Sequence, residues 1–171
     1  MEFEDAQMEF IQSWGSIGSA WGIPRSMAQI HALLLSSNKE LSTEDIMGTI
    51  QLSRGNVNTN VRELINWRLI SKKSIIGERK EFFQAETDVW ALAKNIVEER
   101  KRRELKPVLE LLRRLKTEKY NGNKEEISHF KSLVSDLEDL ISQLDQLSAT
   151  LIKLNDNKLF KKMIKFLPKP G

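Results

Sequence analysis

The chain has 171 residues, 40% hydrophobic and 30% charged, with a net charge of +3 and no cysteine. That length can bury one domain core plus an appended helical region. The lack of cysteine excludes disulfides, thiolate metal sites and thiol redox chemistry, and suits a reducing, cytoplasmic setting.

His31 and His129 stand far apart with no second ligand at metal spacing, so neither a metal nor a cofactor is expected. No apolar run reaches transmembrane length, and the acidic stretch 2–10 is unlike a secretory leader. The charge is unevenly placed. Residues 1–50 hold two basic against seven acidic side chains, net −5; residues 51–120 hold seventeen against ten, net +7; the remainder is near neutral at +1. A field of that sign in the middle of the chain speaks to a polyanionic partner.

Residues 3–20 repeat apolar positions at helical spacing: Phe3, Phe10, Ile11, Trp14, Ile17 and Gly18. Gly15, Gly18 and Gly22 are dense for a helix and predict a close backbone approach or a bend. Trp21-Gly22-Ile23-Pro24-Arg25 is a break, with Pro24 suited to the first turn of the next helix. That helix runs to Ser37 with Met27, Ile30, Leu33 and Leu34 inward, and Ser36 to Lys39 forms a loop.

Leu41 to Glu86 organises the chain. Ser42-Thr43-Glu44-Asp45 places a hydroxyl and then a carboxylate three residues on, a helix start ahead of Ile46, Met47 and Ile50. Gly48 costs that helix a little and marks a candidate close contact. Gln51-Leu52-Ser53 turns the chain, with Ser53 placed to cap a second helix whose buried stripe is Val57, Val61, Leu64 and Ile65. Off that stripe lie Arg54, Gly55, Asn56, Asn58, Thr59 and Arg62, donors and acceptors suited to base edges and phosphates. After Trp67-Arg68-Leu69, the β-rich runs Ile70–Ile76 and Glu81–Glu86 flank Gly77-Glu78-Arg79-Lys80, a hairpin with a basic tip. Residues 53–80 carry seven basic side chains against two acidic ones. A helix-turn-helix followed by such a hairpin reads as a winged helix that binds duplex DNA. Ser53, Arg54, Asn56, Asn58, Thr59, Arg62, Lys72, Lys73, Arg79 and Lys80 are its candidate contacts.

Asp88 starts a further helix with Val89, Ala93, Ile96 and Val97 on its apolar side, and Glu98 to Lys106 is dominated by charge. Pro107 predicts a kink or a new segment, after which Val108, Leu111, Leu112 and Leu115 resume the stripe. Tyr120-Asn121-Gly122-Asn123 is a turn. From Lys124, Phe130, Leu137, Leu144 and Leu151 recur every seventh residue, and Leu133, Leu140, Leu147 and Leu154 follow each by three. Four heptads in register, widened by Val134 and Ile141, predict helix–helix association, read here as a core shared by two subunits in preference to a stripe folded back on residues 89–115. The tail 155–171 mixes Leu159, Phe160, Met163, Ile164, Phe166 and Leu167 with five lysines. A terminal helix docking on the dimer is the plainer reading; a membrane-surface helix is the other, and no membrane partner is expected.

The expected fold is mainly α with a small β-hairpin. Residues 1–87 form a winged helix-turn-helix with N-terminal helices, and residues 88–171 form a helical dimerisation region.

Three segments carry a family resemblance: Gly22-Ile23-Pro24-Arg25, Leu52 to Leu64, and Gly77 to Glu86. Together they resemble MarR-type regulators, closest to the GbsR-like branch, over about residues 10–115. The resemblance implies a homodimeric winged-helix repressor on a pseudo-palindromic operator. It places Arg54, Asn56, Asn58, Thr59 and Arg62 in the major groove, with Arg79 and Lys80 at the wing tip. It implies no particular small-molecule effector. Trp14, Trp21, Trp67, Trp90 and Tyr120 are available to cage a quaternary ammonium ion, although core packing is the plainer role for them. The alternative to a DNA-binding regulator is a winged-helix adaptor whose heptads bind a partner helix. No nucleophile–base pair or phosphate-cradling glycine loop points to an enzyme.

Overall fold

The computed structural model describes residues 1–155. The expectations for the basic tail beyond Asn155, and for the side chains of Leu151 and Leu154, lie outside the described residues. Two compact units are present, Met1–Ile96 and Val97 onward. The expected boundary after residue 87 falls ahead of a helix whose Leu92 and Ile96 pack in the first unit.

In the first unit, α1 (Phe3–Ala20) and α2 (Arg25–Ser36) form an antiparallel pair, followed by β1 (Leu41–Ser42), α3 (Thr43–Ile50), α4 (Arg54–Asn66), β2 (Ile70–Lys73), β3 (Phe82–Ala85) and the greater part of α5 (Val89–Arg100), whose last four residues belong to the second unit. The glycines let α1 approach α2: a Cβ at Gly18 would stand 2.5 Å from Ala28 Cβ, and one at Gly15 would stand 2.7 Å from Gln29 Cγ. Gly48 behaves otherwise. It is exposed, and a Cβ added there would meet nothing within 4 Å, so the close contact expected at this position is absent.

The capping box forms as its spacing dictates. Ser42 Oγ accepts from the Asp45 N–H at 3.2 Å, and Asp45 Oδ2 accepts from the Ser42 N–H at 2.8 Å. Two orphan donors of the first turn are thereby satisfied. The same Ser42 belongs to β1, a strand too short to register in the sequence pattern. It pairs antiparallel with β3 (Leu41 opposite Phe83) to make a three-stranded sheet of order β1-β3-β2. Strands β2 and β3 are shorter than the runs 70–76 and 81–86. Residues 71–81 are all exposed, so Ile75 and Ile76 have no layer to pack on and the ladder ends at Lys73. The core is drawn from every element of this unit: Ile11, Ile30, Leu33, Leu41, Ile46, Val57, Val61, Leu64, Ile70, Phe83 and Leu92. This arrangement is a winged helix-turn-helix.

On α5, Asp88 caps the helix through the Trp90 N–H at 2.9 Å. Leu92 is buried and Ile96, as expected, packs half-buried beside it, while Val89, Ala93 and Val97 are exposed, which rotates part of the expected apolar side.

The second unit holds a π-helical turn (Lys101–Leu105), α6 (Lys106–Thr117) and α7 (Lys124–Asn155). The π-turn sits directly before Pro107, which has no N–H to give and whose ring would strike the carbonyl four residues back. Widening the helix there accommodates the proline and advances the helical phase by roughly one residue, about 100°. On α6, Leu112 is buried and Leu115 half-buried as expected, Leu109 is buried as well, and Val108 and Leu111, expected inward, are exposed.

Helix α7 packs on α6 through one face only. Val134 is buried, Ile127, Ile141 and Ile152 are half-buried, and ion pairs border them: Lys101–Asp145 at 3.0 Å, Arg113–Glu138 at 3.3 Å and Lys116–Glu138 at 2.8 Å. Tyr120 Oη donates to the Leu115 carbonyl at 2.8 Å, and its ring meets Phe130 edge-on.

Candidate nucleic-acid interface

The site begins at the α3–α4 turn. Gln51 takes the left-handed conformation (φ 53°) that ends α3, and Ser53 Oγ then accepts from the Asn56 N–H at 3.3 Å to start α4. Val57, Val61 and Leu64 are buried, with Ile65 half-buried beside them. That fixes the roll of the helix and leaves Ser53, Arg54, Asn56, Asn58, Thr59 and Arg62 exposed. Arg54, Asn58 and Arg62 fall at four-residue intervals on one side.

Asn60 is the residue that sequence reasoning missed. It is buried, and its Nδ2 donates to Ser26 Oγ (3.1 Å), to the Asn56 carbonyl (2.9 Å) and to Asn56 Oδ1 (2.6 Å). The available signal was position: Asn60 lies three residues past Val57 and four before Leu64, on the apolar stripe. The contact also engages the Asn56 side-chain oxygen, leaving its amide nitrogen as the end able to meet a base.

Arg54 does not stand alone either. Its guanidinium pairs with Glu44 of α3 at 2.6 Å, with both side chains exposed. The Glu44 backbone and the Arg54 guanidinium hold that carboxyl below the usual carboxylate range, helped by the more distant charge of Lys80. An exposed pair of this kind exchanges readily for another anion.

The wing supplies the remaining cations. Lys72 pairs with Glu81 across the hairpin, and Lys73, Arg79 and Lys80 are exposed. Between α4 and β2, Arg68 adopts a left-handed conformation (φ 56°). Its N–H donates to the Ile65 carbonyl and the Leu69 N–H to the Leu64 carbonyl, each near 3 Å, a Schellman closure that turns the chain into the wing. Asn95 Nδ2 donates to the Arg68 carbonyl at 2.8 Å and pins that turn to α5.

The heptad positions lie elsewhere, in the second unit. Phe130, Leu133, Leu137, Leu140, Leu144 and Leu147 are between 39% and 57% exposed, on a face of α7 adjacent to the one that α6 covers. Val134 and Ile141, which widen the stripe, turn toward α6, and Phe130 meets Tyr120, so the stripe is shared between a covered side and a partly exposed one.

Among the described residues, no cluster of three His, Cys, Asp or Glu could hold a metal, and no helix is long and apolar enough to cross a membrane. Within the first unit, Trp67 is in the core, Trp14 packs half-buried against it, and Trp21 and Trp90 are exposed; Tyr120 belongs to the second unit. A cavity of about 830 Å³ opens between α1, α2 and α3 beside Gln7, Leu33, Ser36, Lys39 and Asp45.

No family model matches the chain. Over 85 residues it is 26% identical to the HTH-type transcriptional regulator MmpR5 of Mycobacterium tuberculosis, covering 49% of this chain. The match covers 52% of that protein, so the chain spans about half the length of the curated relative it matches. A crystal structure of a transcriptional regulator superposes with a TM-score of 0.67 at 18% identity, over 86% of this chain and 96% of that one. The two share a fold. An S. aureus MepR mutant bound to an oligodeoxyribonucleotide aligns at a TM-score of 0.41 and 17% identity, over 83% of this chain and 94% of that one, a superposition too loose to bear on this chain.

Proposed function

We propose that the protein is a homodimeric, sequence-specific DNA-binding transcriptional repressor of MarR type, on the GbsR-like branch. The observation that carries this reading is the outward polar face of α4, with Arg54, Asn58, Thr59 and Arg62 exposed beside a hairpin bearing Lys73, Arg79 and Lys80. A helix presented this way fits the major groove, where arginine and asparagine pair with base edges, while the wing cations neutralise phosphates. The likeness to a transcriptional regulator's fold and the local identity to MmpR5 support the same reading.

One recognition helix reads few base pairs, so affinity and a two-fold site call for a second copy. The exposed leucine seam of α7 is the surface offered for that pairing. A cytoplasmic site of action belongs to the same proposal, since the reading is of a prokaryotic type of repressor.

Selection of bound duplexes from a random pool tests the reading. An inverted repeat with half-sites about one helical turn apart is expected. A purified dimer that enriches no duplex, even at low salt, would instead favour an adaptor role for the winged helix.

A further inference from the structure

The wing has an apolar apex set among cations. The Glu78 N–H donates to the Ile75 carbonyl at 3.1 Å, and Gly77 has φ +89° while Ile76 does not. That is a type II turn with Ile76 at its first corner and glycine at its second. Such a corner suits proline and accepts most residues; nothing in the turn requires isoleucine. Ile76 is 102% exposed and Ile75 40% exposed. A lone exposed isoleucine on a helix face needs no explanation. Here two stand in succession at the outermost point of a hairpin, between Lys72-Lys73 and Arg79-Lys80.

Resting on the regulator reading above, we propose that Ile76 is an apolar wedge that enters the DNA minor groove and partly unstacks a base step. Charge selects the partner: four cations against Glu78 and Glu81 draw this tip to phosphates rather than to a neutral apolar surface. Shape selects the groove. A minor groove roughly 6 Å wide admits a turn apex bearing one side chain but not a helix. Apolar side chains inserted at a base step bend the duplex, and pyrimidine–purine steps deform at the lowest cost. Ile76 thus adds preference for deformable flanking steps, where Arg79 and Lys80 only neutralise charge.

The experiment uses the full chain and duplexes recovered from the random pool, with 2-aminopurine placed at successive flanking steps. The unaltered protein is expected to raise fluorescence at one step in each flank. Ile76→Ser is expected to abolish that signal and weaken binding about tenfold. The salt slope stays constant because no charge is removed. Ile76→Leu restores the signal, and an unchanged thermal midpoint in both variants shows that the fold is intact. If Ile76→Ser binds as tightly as the unaltered protein with the same fluorescence, the wedge is overturned and the regulator reading stands. If the unaltered protein enriches no duplex, the regulator reading falls and the wedge with it. Binding to phosphatidylglycerol vesicles that is lost in Ile76→Ser, with DNA binding unaffected, would replace the wedge with a membrane contact.

Discussion

Asn60 Nδ2 lies 3.1 Å from Ser26 Oγ, joining the middle of α4 to the first turn of α2. The same amide holds Asn56 from within its own helix. Asn60→Ala removes a buried donor with three acceptors and is expected to destabilise the fold by about 1–2 kcal/mol, read as a lowered urea midpoint. Ser26→Ala should cost less, and the double variant should show coupling rather than additive losses. Full additivity would mean that the bond contributes nothing.

Charge on the reading face and charge on the wing should separate experimentally. Arg54→Ala is expected to relax sequence preference at one position of each half-site, a discrimination worth about 1–3 kcal/mol. Arg79→Ala with Lys80→Ala should weaken binding to all duplexes and flatten the salt dependence by roughly one to two counterions per protomer. An unchanged slope across a salt titration would remove the wing from the DNA.

His31 is buried in α2, and among the described residues its Nε2 meets no polar group. Burial lowers its pKa from 6.5 to about 4. The folded state therefore demands the neutral ring, whereas the unfolded chain protonates near 6.5. Stability from this site is fully present above that pH, declines as pH falls, and is lost below about 4. The span corresponds to about 3 kcal/mol. Urea midpoints measured from pH 8 to pH 4 should show the decline, and His31→Leu should flatten it while raising stability most at the acidic end.

The α7 seam gives a prediction about assembly. Leu137→Glu with Leu140→Glu places charge on the exposed heptad face and leaves the Val134 face against α6 undisturbed. Sedimentation should show monomers with unchanged helicity, and operator affinity should fall by about 100-fold as the second reading head is lost. Loss of helicity together with the dimer would show that the hairpin of α6 and α7 does not fold on its own.

Two glycines on exposed and packed helix positions should respond oppositely to alanine. Gly48→Ala meets open space within a helix and is expected to stabilise by about 0.5–1 kcal/mol. Gly18→Ala forces its Cβ onto that of Ala28 and should destabilise by about 1–3 kcal/mol. Thermal midpoints of the two variants decide both.

Legibility followed locality. The capping box at Ser42, the cap at Ser53 and the Val57–Val61–Leu64 stripe depend on residues within one or two turns of each other, and each forms as its spacing indicates. Features that depend on distant partners were not readable. Strand β1 exists only because Leu41 finds Phe83, and Asn60 looks like Asn56 and Asn58 until Ser26 comes near. Within α6, Leu112 and Leu115 face inward as their spacing indicates, whereas Leu109 is buried and Val108 exposed, which depends on where α7 lies. At the candidate interface, the exposure of Arg54 and Arg62 was legible, but the pairing of Arg54 with Glu44 was not, because those residues sit on separate helices.

That pairing bears on how such a molecule would search a genome. If α4 enters the groove as proposed, the Glu44 carboxylate competes weakly with each phosphate that Arg54 meets, and the exposed pair gives way to a better acceptor. Only a site offering Arg54 a better acceptor than Glu44 would hold it. Charge-reversed at residue 44, the protein should linger on irrelevant sequence and find its operator more slowly, even while gripping DNA harder overall.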